Sequence, residues 1–246
     1  MTQIREHLIV PDWPAPARVQ ARQTTRHGGL SLPPYDSLNL GMHVGDAPLT
    51  VARNRTLLNS VVPSEPVWLE QVHGTQVVVA EEVGCLPCAD ACISHAPNAV
   101  CTIMTADCLP VLLCDADASV VGAAHAGWRG LVDGVIEATI ARMSIPPQRL
   151  MAWLGPAIGP QAFEVGVEVR AAFVRQDAAA EAAFTPHGDK YLADLYQLAR
   201  QRLQKLGVTK IYGGEFCTYS DPARFYSYRR DGQTGRMATM IWLSPT

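Results

Sequence analysis

A mixed α/β fold, of the α+β kind, is predicted by three features of this sequence. Strand-like runs are short and β-rich, helical periodicity occurs in three places, and the two interleave irregularly rather than as βαβ repeats. The strand-like runs are residues 67–69, 77–79, 100–104, 111–114, 120–124, 151–154, 211–212 and 239–243. Leu131, Val132, Val135, Ile136, Ile140 and Met143 fall on one helical face, which Pro146 and Pro147 terminate. A second helix is expected over 192–206, with Leu192, Leu195, Tyr196, Ala199, Leu203 and Leu206 on one face and Gly207 as its stop. A third is expected over 51–60, with Thr50 as its N-cap.

The chain has 246 residues and a mass of 26.6 kDa. Area scaling gives a folded surface of about 10,700 Å², so roughly 70% of the extended chain's surface can be buried. Hydrophobic residues make up 48% and charged residues 17%, which excludes a disordered chain. Proline-rich patches at 11–16, 33–34 and 146–147 read as turns, and no linker stands out, so one domain over 1–246 is expected. No apolar run approaches the ~20 residues of a membrane span. The first sixteen residues hold one three-residue apolar stretch, Leu8 to Val10, before a proline, so no signal peptide and a cytoplasmic location are expected. A net charge of −3 without a basic block removes the electrostatic footprint of a general nucleic-acid binder. Seven cysteines, an odd number, argue for reduced thiols rather than a disulfide framework.

Three segments look unlike ordinary core or surface. They are Glu70-Gln71-Val72-His73-Gly74-Thr75, Thr105-Ala106-Asp107-Cys108-Leu109-Pro110 and Ala124-His125-Ala126-Gly127-Trp128-Arg129-Gly130. Each puts a metal-capable or nucleophilic side chain at a strand end beside Gly or Pro, where scaffolds present functional groups. Two histidines and a thiolate can hold Zn²⁺ and leave a fourth position open, the arrangement of a catalytic zinc. Gaps of 35 and 17 residues match no local zinc-finger pattern, so any convergence must come from the fold. Cys85, Cys88, Cys92 and His95 also have metal-ligand spacing, against the plainer reading of incidental thiols. Asp107 reads either as an orienting acid/base group or as a turn aspartate. The run Gly155 to Pro160 lacks the lysine and hydroxyl of a phosphate-cradling loop and reads as a rigid turn beside the pocket.

The strings TTRHGGLS, LNLGMHVGD, EQVHGTQV, TADCLPVLL, AAHAGWRG, WLGPAIGP and FYSYRRDGQTGRMA occur in that order from Thr24 nearly to the C-terminus. They resemble the YfiH-type family, also called the laccase-domain or multicopper polyphenol oxidase family. The resemblance implies a single α/β/β/α layered domain and a His-Cys-His metal site made by His73, Cys108 and His125. It also implies purine nucleoside phosphorolysis of adenosine, inosine or methylthioadenosine, with adenosine deamination alongside. Phosphorolysis needs a held phosphate, and arginine's planar fork suits an oxyanion. Arg129, Arg26 and Arg229 lie in the family-like strings and are the candidates. Zinc is the expected metal, and copper is chemically possible on the same ligands.

Two further readings use the same residues. A multicopper oxidase needs a histidine-rich cluster, yet this chain has seven histidines and no His-x-His pair. A thiol hydrolase would use Cys108 as nucleophile and His125 as its base, with a peptidoglycan precursor as the substrate the resemblance suggests.

Overall fold

The computed structural model describes residues 3–245. In chain order the elements are α1 (Gln3–Glu6), β1 (Val19–Gln23), α2 (Pro48–Leu58), β2 (Val77–Val79), β3 (Ala91–Ser94) and β4 (Cys101–Thr105). Next come β5 (Leu109–Asp115), β6 (Val121–Ala126), α3 (Trp128–Asp133), α4 (Val135–Met143), β7 (Leu150–Leu154), β8 (Glu164–Val165) and α5 (Val167–Gln176). The chain closes with β9 (Phe184–His187), β10 (Lys190–Ala193), α6 (Leu195–Leu206), β11 (Lys210–Gly213), α7 (Tyr228–Asp231) and β12 (Met237–Leu243). No helix among the described residues is long and apolar enough to cross a membrane.

The continuous apolar runs fold as strands buried on both faces. Every residue of β3, β4, β5, β6, β7 and β12 is buried. Such strands need cover on both sides, which dictates layers. Along β5, Leu109, Val111 and Leu113 face one core while Leu112 and Cys114 face another. The first core lies under α3, α4 and α6. The second lies between two sheets, where Leu112, Ala123 and Trp153 meet Ala21, Ile103 and Ile241. A third core covers the outer face of the smaller sheet, with Leu58 of α2 against Met240 and Trp242. The order helix, sheet, sheet, helix is the α/β/β/α arrangement.

The larger sheet runs β11-β7-β5-β6-β3-β2 and is mixed; the smaller is the antiparallel set β1-β12-β4. A third small sheet, β8-β10-β9, packs with α5. The described surface totals 10526 Å², close to the scaling value.

Four local expectations are corrected. Residues 67–69 form no strand, and Val67 makes an isolated bridge to Cys101. The helix expected from Leu131 is two helices, because Gly134 adopts φ 100° and caps α3 before α4 begins. Leu192 belongs to strand β10, and Asp194 starts α6 by accepting the backbone N–H of Gln197 at 2.9 Å. Thr50 lies inside α2 rather than capping it, since Pro48 opens that helix one step after Ala47. Strands β1, β3 and β8 to β10 and helix α5 carried too little periodicity to be expected.

One buried carboxylate pins the turn between β5 and β6. Asp115 is fully buried and accepts the backbone N–H groups of Asp117, Ser119 and Val120 at 3.1, 2.6 and 3.0 Å. Burial raises its pKa, but these donors and the Ser119 hydroxyl outweigh burial and hold it below the usual aspartate value. A lowered folded pKa gives stability that is present above the unfolded value of about 3.9 and lost as pH falls through the folded value. Asp115→Ala should therefore cost about 2–3 kcal/mol at pH 7. Urea unfolding should show that gap narrowing only below about pH 4. A gap that closes between pH 7 and 5 would contradict this account.

Candidate active site

Sheet register assembles what sequence separates. Strands β5 and β6 are antiparallel neighbours with Leu109 opposite Ala126 and Pro110 opposite His125. Cys108, at the entry to β5, therefore sits beside His125, at the exit of β6. Strand β3 flanks β6 on its other side with Ala91 opposite Ala124, so Asp90 falls next to His125. The His125 backbone N–H donates to the Asp90 carbonyl at 2.7 Å. Strand β2 pairs with β3, and the loop leading into β2 carries His73 over the same strand ends.

The three side chains converge. One ligand atom from each of His73, Cys108 and His125 lies within 4.8 Å of the others, and the Cys108 Sγ is 3.8 Å from His73 Nε2. The imidazole centroids are 4.8 Å apart at 65°. Closeness on this scale needs a residue without a side chain at position 127. A Cβ on Gly127 would lie 3.0 Å from both Cys108 Sγ and His73 Cδ2.

Asp90 organises the group from beneath. Its fully buried carboxylate accepts His125 Nδ1–H at 2.8 Å and the backbone N–H groups of Val72, His73 and Gly74 at 3.1, 2.9 and 2.7 Å. The Nδ1 bond leaves His125 Nε2 as the free ring nitrogen. The three backbone bonds hold His73 at φ 62°, a left-handed conformation costly to a non-glycine residue. Burial raises the Asp90 pKa, but the bonds from His125, Gly74 and Val72 outweigh it and keep the group ionised. Burial also opposes the Cys108 thiolate, yet His125 and His73 bring its pKa down to about 6. Conversely, burial lowers the His125 pKa, while Cys108 and Asp90 lift it to about 9.

The donor set suits a metal. Two imidazoles and a thiolate, with a carboxylate orienting one imidazole, fit a tetrahedral Zn²⁺ whose fourth position opens to a cavity. The same set can hold copper. The cavity is about 520 Å³, within the range of small-molecule sites. Trp128, Ile158 and Phe163 give it apolar walls, and Arg129, Arg229 and Arg236 line it as cations. A second lobe of about 390 Å³ adjoins it, sharing His43, Tyr228 and Arg236.

Other expected residues fall variously. Arg129 is exposed at the rim, its guanidinium 4.5 Å from the Trp128 ring. Arg229 lies on the wall and donates Nη1–H to the Glu164 carbonyl at 2.8 Å. Arg26 is not among the residues lining the cavity, and its guanidinium meets Asp36 at 3.3 Å and the Pro222 carbonyl at 3.0 Å. Asp107 behaves as a turn aspartate on the wall, at φ 96°, accepting Thr218 Oγ1–H at 2.6 Å and the Arg229 backbone N–H at 2.7 Å. Ile158 brings the Gly155 to Pro160 turn to the cavity. Cys85, Cys88 and His95 are exposed, whereas Cys92 points into the core between the sheets. Among the described residues, the one metal-capable group of three is His73, Cys108 and His125.

Sequence reasoning missed Asp90, His43 and Arg236. Asp90 lies in Ala89-Asp90-Ala91, a segment that resembles the family's, but nothing local gave it a role because its partners are separated from it in sequence. His43 and Arg236 lie inside the family-like strings LNLGMHVGD and FYSYRRDGQTGRMA, and their one signal was a titratable or charged side chain close to glycine.

Two outcomes test this geometry. Asp90→Ala should weaken metal binding about 10- to 100-fold in a chelator competition, because both His73 and His125 lose their anchor. Replacing Cys85, Cys88 and Cys92 together with Ser should leave metal binding unchanged and cost about 1–3 kcal/mol at the buried Cys92. Loss of metal binding in the triple variant would contradict the assignment.

A family model described as multi-copper polyphenol oxidoreductase laccase matches residues 20–244. A relative from Escherichia coli strain K12, "Purine nucleoside phosphorylase YfiH", is 59% identical over 96% of this chain and 98% of its own. A Pseudomonas aeruginosa relative, also named a purine nucleoside phosphorylase, is 56% identical over 96% of this chain and 98% of its own. The crystal structure of a Neisseria meningitidis protein superposes with a TM-score of 0.95 at 51% identity, covering 97% of this chain and 100% of the other.

Proposed function

This chain belongs to the YfiH-type, multi-copper polyphenol oxidoreductase laccase family, and from that premise we propose that it is a zinc-dependent purine nucleoside phosphorylase. Adenosine, inosine and methylthioadenosine are the substrate class, and adenosine deamination is a second activity of the same centre. The reading treats the chain as one domain. The observation that carries it is the placement of three converging metal donors at a cavity lined by three arginines.

Phosphorolysis joins a phosphate oxygen to ribose C1′ as the C1′–N9 bond breaks, and the bond's electron pair leaves with the purine, which takes up a proton. Cationic walls suit the phosphate, and the apolar faces of Trp128, Ile158 and Phe163 suit the base while excluding water. Asp107, through the Arg229 backbone, fixes one of the wall arginines. Asp90 holds His125 Nδ1–H and the His73 loop, so that His73, Cys108 and His125 would hold the zinc. Zinc bound there would supply a Lewis acid and a water of lowered pKa, the chemistry that deamination of a purine ring requires.

A thiol hydrolase is a second reading, favoured by the lowered Cys108 thiol beside His73 Nε2 at 3.8 Å. Phenol oxidation at several coppers has less support, because it needs more histidines than the described site offers.

Product analysis separates these readings. Purified, metal-quantified protein given adenosine should release adenine and ribose 1-phosphate only when phosphate is present, and inosine in its absence. Absence of both products would overturn the proposal. Cys108→Ser should lose both bound zinc and turnover, since a hydroxyl is a poor zinc ligand. Full zinc with no turnover would instead mark Cys108 as a nucleophile.

A further inference from the structure

The cavity carries more positive charge than its walls neutralise. Arg129, Arg229 and Arg236 line it, and among the described residues none of the three makes an ion pair with a carboxylate. Its one carboxylate, Asp107, is already committed to Thr218 and to the backbone of Arg229. Exposed Arg129 and Arg229 are served by solvent. Arg236 is half-buried, and burial holds its guanidinium below the usual pKa despite the nearby negative groups. A cation in that position is costly unless an anion joins it.

Arg236 is also held ready. Its backbone N–H donates to Asn39 Oδ1 at 2.9 Å, and its Nη1 donates to the carbonyls of Thr234 and Gly235, both at 3.1 Å. Among the described residues, Nε and Nη2 have no hydrogen-bond partner. The arm lies on Gly41, where a Cβ would stand 2.8 Å from Arg236 Cγ. Two hydroxyls on the same walls are also unpartnered. Thr105 lines the main cavity and Thr234 the second lobe, each residue is 2% exposed, and neither Oγ1 has a partner. Thr102 Oγ1 and Glu137 Oε2, away from these walls, also lack partners, so the two hydroxyls support a ligand only together with the free edge of Arg236.

We propose that Arg236, with His43 and the Thr234 hydroxyl, forms a phosphate-binding subsite where the two lobes of the cavity meet. This places phosphate on Arg236 rather than on Arg129, Arg26 or Arg229. The free fork edge of Arg236 matches a tetrahedral oxyanion, and His43 and Thr234 add donors to it. Its identity as the co-substrate's subsite rests on the phosphorylase reading; its existence as a phosphate site does not. Free phosphate and the phosphate of a purine nucleoside 5′-monophosphate are the two sources of that chemistry.

Direct binding tests it without turnover. Inorganic phosphate and adenosine 5′-monophosphate are each titrated by calorimetry into zinc-loaded wild type, Arg236→Gln, Gly41→Ala and Arg129→Gln. Arg236→Gln should weaken inorganic phosphate about 10- to 100-fold. Gly41→Ala keeps the charge but displaces the arm, and should weaken phosphate by a smaller factor. Tight monophosphate binding that needs Arg236, with no binding of free phosphate, keeps the subsite and makes a nucleotide its ligand. Phosphate binding unchanged in Arg236→Gln but lost in Arg129→Gln overturns the proposal, as does absence of binding by both ligands. If phosphate binds through Arg236 and adenosine is nevertheless not phosphorolysed, the phosphorylase reading fails while the subsite stands.

Discussion

The site depends on one buried carboxylate. Asp90 has no solvent to ionise into, yet four N–H donors converge on it, one from the His125 ring and three from the backbone of Val72, His73 and Gly74. Burial alone would favour the neutral acid, so the donors are what keep the charge in place. Their dependence is mutual. Without the carboxylate, the His73 loop loses the bonds that hold its left-handed conformation, and His125 loses the acceptor that fixes its tautomer. A single group thereby couples two ligands that are far apart in the chain.

The layers explain why Asp90 is there. Strands β3, β5 and β6 are covered on one face by helices and on the other by the smaller sheet, so they have one permitted register. That register stacks Asp90, His125 and Cys108 at neighbouring strand ends. Chemistry concentrates where the strands stop because the side chains there leave the core and face a cavity. Gly127 completes the arrangement by letting the start of α3 pass against Cys108 and His73. Helix α7, the 155–160 turn and the 41–44 loop contribute walls to the cavity.

The balance of charge in those walls separates recognition from chemistry. The donors His73, Cys108 and His125 form a compact, mutually stabilised group around the thiolate, with Asp90 behind it. Among the described residues, the three cavity arginines make no ion pair with a carboxylate. A cavity with surplus cations and apolar aromatic walls favours a ligand that is both anionic and flat, which a purine nucleoside and a phosphate together supply.

The sequence by itself determined the mixed α/β class and most of the central strands, and it singled out the segments that hold His73, Cys108 and His125, whose reading as one ligand set came from the family resemblance. Those strands were legible because burial on both faces writes an uninterrupted apolar run, as in Val111 to Cys114, and His73, Cys108 and His125 because they interrupt such patterns beside Gly or Pro. Edge strands such as β8 and β9, half exposed and short, carry no comparable signal. The α3–α4 break was hidden because Gly134 interrupts the helix without interrupting its apolar face. Arg26 was singled out in the sequence and Arg236 was not; the tertiary structure puts Arg236 on the cavity wall, while the Arg26 guanidinium meets Asp36 and the Pro222 carbonyl. Asp90 was decided there too: a residue whose whole role is to join segments brought together by strand pairing has no local pattern to show it.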